Sequence, residues 1–225
     1  MPGTQFLLPP FFDYTATFLW AISGALLAAR RGYAIMGVIT LAIVSATGGG
    51  LLRDGLFIQG GPPLLVRTPN YLWLVAAAVF LCIVFGPWID RQPRLPQAII
   101  LIDAIGLGAY SVVGMDRALA AGISLPGVVV VGMVNATGGV ILRDVLVNQE
   151  PEMFKPGTLE QALALVSCLL FLSLTKALSL SEFAAAWVTI LAVFTLRILS
   201  IRYQIVSPAM PGFGSSANGR HGDDT

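Results

Sequence analysis

The chain has 225 residues, of which 56% are hydrophobic and 11% charged, against roughly 25% charged in soluble domains. Its formal net charge of +1 offers no basic surface for nucleic acid. Several apolar runs exceed the ~18 residues that read as a membrane span, which leaves the class of polytopic, all-α membrane proteins.

The first predicted span, about Phe11 to Ala29, ends at Arg30-Arg31. No basic segment precedes it and more spans follow, so it reads as a membrane helix rather than a cleaved signal peptide. The second, about Tyr33 to Ile58, carries Ala46-Thr47-Gly48-Gly49-Gly50-Leu51-Leu52-Arg53-Asp54. Gln59-Gly60-Gly61-Pro62-Pro63 then makes a loop. A third span runs from about Asn70 to Ile89 and a fourth from about Ala98 to Ala118. The fifth, about Leu125 to Leu146, carries Ala136-Thr137-Gly138-Gly139-Val140-Ile141-Leu142-Arg143-Asp144. After a polar loop, Asn148 to Thr158, come a sixth span, about Leu159 to Leu178, and a seventh, about Phe183 to Ile201. From Ser207 the tail is rich in Gly, Ser, Asn and Asp, the composition of disorder. Cys82 and Cys168 lie inside apolar runs and read as buried free thiols.

A gapless shift of about ninety positions superposes Asp13 on Asp103, Gly24 on Gly114, Gly32 on Gly122, Gly37 on Gly127, Thr47 on Thr137, Arg53 on Arg143 and Asp54 on Asp144. The expected organisation is therefore one transmembrane domain over 1–206, followed by the tail at 207–225. Within it lie repeat one at about 11–90, repeat two at about 98–180, and an unpaired seventh helix at about 183–203. Three spans per unit is an odd number, so the second unit is inverted relative to the first, as in many transport proteins. Arg30, Arg31, Arg91, Arg94, Lys155, Arg202 and Arg220 fall on one side; Arg67, Arg117 and Lys176 fall on the other. The positive-inside rule then puts the N-terminus outside and the C-terminus in the cytoplasm.

The two glycine motifs are poor sequence for an undisturbed lipid-facing helix. At 1.5 Å per residue, Gly48 lies roughly 22 Å along its span, within a core about 30 Å thick. A break at Gly48, Gly49 and Gly50, or at Gly138 and Gly139, frees backbone groups, which are tolerated at that depth only inside protein or against water. With Thr47, Thr137, Ser45 and Asn135 they can replace part of a cation's hydration shell. The competing reading is close helix packing, and the isolated glycines Gly24, Gly32, Gly37, Gly106, Gly108 and Gly114 are expected to do only that. The ionisable residues of the motifs lean towards a structural role. By depth, Asp13 pairs with Arg53 and Asp103 with Arg143, while Asp54 and Asp144 point about 100° away from their neighbours and contact a helix end or another segment.

Two copies of Gly-Gly-(Gly/small)-x-x-Arg-Asp, three spans each and a seventh after them, closely resemble the bacterial and archaeal branch of the trimeric intracellular cation channels. The resemblance covers about residues 11 to 203; bacterial members have also carried the label of glycine transporters. It implies a homotrimer in the prokaryotic plasma membrane, with an hourglass pore in each protomer and kinks at the glycine motifs of the second and fifth helices. It also implies permeation by potassium and sodium without a cofactor. Val140 stands where the motif's third glycine would be, so the fifth helix is expected to bend less. The basic lipid-binding motif of animal members has no clear counterpart, and the implied partner beyond other copies of the chain is membrane lipid. A secondary transporter of a small solute such as glycine fits the inverted repeat equally well. Ionisable residues towards the span ends, rather than at the midplane, favour the channel. An enzyme has no support, for there is no His-Glu metal motif, Ser-Lys or Asp-Asp arrangement, or nucleotide loop.

Overall fold

In a computed structural model, residues 8–92, 95–155 and 159–205 are described. The chain forms α1 (Phe11–Arg30), α2 (Ile35–Leu52), a short α3 (Leu64–Arg67), α4 (Asn70–Asp90), α5 (Leu95–Ala120), α6 (Leu125–Leu146), α7 (Glu160–Leu172) and α8 (Glu182–Arg202). Two of these run on as π-helix, α2 over Arg53–Ile58 and α7 over Ser173–Ala177. Six helices of the described residues are long and apolar enough to cross a membrane; the apolar stretch of α4, Asn70–Gly86, is shorter. The predicted spans are all helical, and α6 has the predicted bounds. The loop after the second span holds α3, which periodicity did not indicate. The predicted tail lies outside the described residues. Cys82 and Cys168 are buried free thiols, as expected.

α1, α2, α5 and α6 form the centre, where α1 packs on α5 and α2 on α6. α4 covers α1 and α2 on one flank, α7 covers α5 and α6 on the other, and α8 seals α5 against α7. The turns that follow α1 and α5 are built alike. Gly32 (φ 71°) and Gly122 (φ 75°) take the left-handed conformation that closes a helix C-terminus. Tyr33 N–H then reaches the Ala28 carbonyl and Ile123 N–H the Ala118 carbonyl, each at 3.1 Å. Neither glycine has a heavy atom near its missing Cβ, so Gly32 is a backbone requirement rather than the packing glycine expected. Gly37 is not one either, since its Cβ would meet only Tyr33 of the preceding turn. Gly24, Gly106, Gly108 and Gly114 do pack, against α2, Trp20, Ile190 and α6 respectively.

The two motifs pack directly against each other. A Cβ on Gly48 would lie 3.1 Å from Gly139 Cα, and one on Gly138 would lie 3.2 Å from Gly49 Cα. A Cβ on Gly49 would fall on the Asn135 carbonyl oxygen, and one on Gly139 on that of Ser45. These contacts obey the ninety-residue offset, so α2 and α6 meet about an axis that exchanges them. Gly50 is different: its Cβ would have only Arg53 Nη2 nearby, at 3.7 Å. That space explains why Val140 is accommodated at the corresponding position. Both helices keep α geometry through their glycines. The departure in α2 comes after the motif, at the π-helical turn, and α6 has none.

Gly49→Ala and Gly139→Ala should therefore each force the helices apart, lowering stability by about 1–3 kcal/mol as overpacking does. Gly50→Ala should be neutral or stabilising by up to about 1 kcal/mol, since alanine is the better helix former. Thermal unfolding of the three variants in detergent checks this; equal melting temperatures for Gly49→Ala and Gly50→Ala would refute the contact.

Candidate functional site: two polar cavities either side of a glycine waist

Two cavities lie on opposite sides of the α2–α6 contact. One, towards the start of α1 and called outer after the side it is expected to face, is lined by Asp13, Thr47, Arg53, Asp54, Tyr71 and Tyr110 among others. The other, towards the start of α5 and called inner on the same expectation, is lined by Trp20, Asp103, Arg143, Asp144, Glu160 and Arg197 among others. Shifting the outer lining by ninety positions turns Asp13, Arg53 and Asp54 into Asp103, Arg143 and Asp144, and Tyr110 corresponds to Trp20 in the reverse direction. The outer cavity has a volume of about 20 Å³ and the inner about 40 Å³, enough for one to a few waters.

Each arginine bonds its own sequence neighbour. Arg53 Nε lies 2.7 Å from Asp54 Oδ1, and Arg143 Nε lies 3.1 Å from Asp144 Oδ1. This corrects the expected pairing of Asp13 with Arg53 and Asp103 with Arg143. Side chains are not rigid spokes around the helix, and the long arginine stem folds back over the next residue. The two members of each expected pair nonetheless line one cavity. Asp54 does also reach a helix end, where its Oδ2 accepts from Leu64 N–H of α3 at 3.1 Å. Asp13 accepts from the Tyr71 hydroxyl. Asp103 accepts from Ser23, and Ser23 Oγ in turn accepts from Arg143 Nη1 at 3.2 Å.

Arg53 is 2% exposed, and its Nη1 donates to Asn135 Oδ1 at 3.2 Å. Asn135 Nδ2 donates to the Tyr110 carbonyl at 2.7 Å. Asn135 is thus spent on holding α5, α6 and Arg53 together, and it lines neither cavity. Ser45, its counterpart, sits against Gly24 and also lines neither. Thr47 and Thr137 donate to the carbonyls of Ile43 and Met133 in their own helices, and of the two only Thr47 lines one of these cavities.

Between the cavities stands an aromatic pair that sequence reasoning missed. Trp20 and Tyr110 have ring centroids 4.7 Å apart, and both are buried. Tyr110 Oη donates to the Ala46 carbonyl at 2.6 Å and lies within hydrogen-bond distance of Thr17 Oγ1 at 2.7 Å. A signal was present, because the repeat offset puts an aromatic residue at both positions. Beyond the outer cavity, a surface hollow of about 260 Å³ is lined by Asp54, Ile58, Gly60, Arg67, Arg117 and Ala121 among others. At the opposite end of the bundle, Arg31 donates to the Val147 carbonyl at 2.9 Å and to Gln149 Oε1, placing a cation at the negative end of α6.

A family model described as glycine transporter matches residues 10–87 and 100–176. A UPF0126 membrane protein of Deinococcus radiodurans is 37% identical over 141 residues, 63% of this chain and 64% of that protein. The match thus spans just under two thirds of that relative's length. The UPF0126 inner membrane protein YadS of Escherichia coli is 29% identical over 216 residues, 95% of this chain and 100% of its own. Among solved structures, one described as showing the basis for conductance through TRIC cation channels has a TM-score of 0.78 and 28% identity, covering 91% of this chain and 98% of that chain. The TRIC trimeric intracellular cation channel orthologue from Rhodobacter sphaeroides has a TM-score of 0.76 and 26% identity, covering 86% and 96%.

Since Arg53 is buried and directly bonded to the part-exposed Asp54, each of Arg53→Ala and Asp54→Ala should lower stability, the aspartate change by about 3–5 kcal/mol because it leaves the buried guanidinium without its partner. The double variant should lose less than the sum. The cycle of Arg53 with Asp13, which share a cavity without bonding, should be closer to additive. Melting temperatures in detergent for both cycles decide the pairing, and a larger coupling for Asp13 would restore the depth-based one.

Proposed function

Since the chain belongs to the bacterial family that carries both descriptions, glycine transporter and trimeric intracellular cation channel, we propose that it conducts monovalent cations through a path within each protomer. The observation that carries this reading is the pair of offset-related cavities meeting at the α2–α6 contact. The outer lining has two carboxylates, Asp13 and Asp54, against one guanidinium, Arg53. The inner has three, Asp103, Asp144 and Glu160, against Arg143 and Arg197. Each lining thus has one more carboxyl group than guanidinium, a formal excess that favours cations over anions in a low-dielectric passage.

In this reading the conformation described is closed. Gly48, Gly49, Gly138 and Gly139 bring the helices together at the waist, and Trp20 with Tyr110 fills the passage beside them. Opening separates the aromatic pair and releases Tyr110 from Ala46. Potassium and sodium are the proposed ions. Seven spans are assigned, in two inverted units of three, α1–α2–α4 and α5–α6–α7, followed by α8. The two stretches matched by one family model, beginning ninety residues apart, support the duplication. The protein is placed in the bacterial inner membrane with its N-terminus outside and C-terminus in the cytoplasm, surrounded by lipid. The trimer of the solved relative from Rhodobacter sphaeroides supports a homotrimer. The family description keeps one other reading in play, a carrier for glycine.

Purified protein in liposomes should sustain a potassium diffusion potential, and in planar bilayers it should give unitary current steps. Tyr110→Phe keeps the ring and removes the bond to Ala46, worth about 0.5–1.5 kcal/mol, so it should raise the open-to-closed ratio roughly two- to tenfold. Saturable glycine uptake without current steps would decide for the carrier.

A further inference from the structure

Resting on the permeation reading, we propose that the inner cavity alone is a binding site for one partly dehydrated monovalent cation, held between Asp103 and Asp144. Among the described residues, six buried side-chain polar atoms lack a hydrogen-bond partner. Three of them, Asp103 Oδ1, Asp144 Oδ2 and Trp20 Nε1, belong to residues that line this one cavity. None belongs to a residue lining the outer cavity. Trp20 is 2% exposed and Asp144 3%. Buried polar atoms nearly always find partners, and leaving a carboxylate oxygen without one is costly. Three such atoms on residues lining one space mark a place for a polar ligand beyond the protein's own side chains.

The chemistry of the atoms names the ligand. Two carboxylate oxygens accept only, so they take a cation. Glu160 is paired with Arg197 at 2.7 Å and Asp144 with Arg143 at 3.1 Å. Asp103, bonded to Ser23, is the carboxylate left over, and one positive charge neutralises the lining. A divalent ion would overshoot that charge and gives up its water reluctantly. Trp20 Nε1 is a donor and cannot ligate a cation. It can bond the oxygen of a water whose second lone pair faces the ion. The space of about 40 Å³ admits an ion with one or two waters.

The outer cavity is the built-in contrast. Asp13 is taken by Tyr71, Asp54 by Arg53 and Leu64, and the Tyr110 hydroxyl, counterpart of the Trp20 N–H, by Ala46 and Thr17. The same fold thus holds one saturated cavity and one with ligand atoms to spare. An ion pauses on the inner side and passes the outer side without a fixed stop.

The test is thermal unfolding of the full chain in detergent, with potassium chloride exchanged for N-methylglucamine chloride at constant ionic strength. The melting temperature should rise saturably with potassium, and labelled rubidium should bind at one per chain. Asp103→Asn should shift the half-saturating potassium upward by at least about tenfold through loss of one close charge, while Asp13→Asn should keep the wild-type dependence. Trp20→Phe, which retains every charge, should also raise it, and it serves if Asp103→Asn does not fold. Equal stability of the wild type in the two salts overturns the site, as does a dependence lost in Asp13→Asn and kept in Asp103→Asn. A protein that conducts potassium without saturable stabilisation loses this site and keeps the channel. One that is stabilised but passes no current keeps the site and loses the channel.

Discussion

Everything in this molecule turns on four glycines that let two helices touch backbone to backbone. Between apolar helices in a membrane there is little hydrophobic drive to associate, so contact is set by how closely surfaces fit. Removing the side chains from Gly48, Gly49, Gly138 and Gly139 puts carbonyl oxygens of one helix against α-carbons of the other, a recurrent weak attraction at close helix crossings. Because the contact exchanges the two helices, it also fixes their mutual depth. The Arg-Asp pairs, five and six residues beyond the first glycine of each motif, are thereby carried to opposite sides of it.

From this crossing the polar network follows. Arg53 leaves α2 and reaches Asn135 of α6, which in turn holds the Tyr110 carbonyl of α5. Tyr110 reaches back to Ala46 of α2. A ring of three helices is thus closed by side chains that are all buried, where an unpaired partner would be expensive. The corresponding circuit through Arg143 uses Ser23 instead. It is shorter and less complete, so two halves of like sequence have unlike interiors.

The fold was largely legible in the residues because its signals are strong: long apolar runs, the repeat, and the glycine motifs. What periodicity missed is short or non-periodic, as with α3 and the π-helical ends of α2 and α7. The site was legible as a set of residues but less so as a set of bonds. Asp13, Arg53, Asp103 and Arg143 sort into cavities as depth suggests, yet which oxygen meets which nitrogen depends on rotamers of a long stem that no spacing encodes. Asn135 and Ser45 are polar at membrane depth and read as ion ligands, but the helix crossing absorbs both. Trp20 and Tyr110 are aromatic residues in apolar runs and look like ordinary core until the third dimension places them face to face.

One departure from symmetry shapes the outer mouth. Arg31, in the turn after α1, grips Val147 and Gln149 at the end of α6. The offset carries Arg31 to Ala121, and Val147 and Gln149 to Phe57 and Gln59. A methyl group cannot span that gap, and the surface hollow of about 260 Å³ opens where Ala121 faces the end of α2. Of two stretches of like sequence, one is therefore bolted at its end and the other unlatched. A hinge in this protein would have its pin at the arginine and its swinging edge at the alanine.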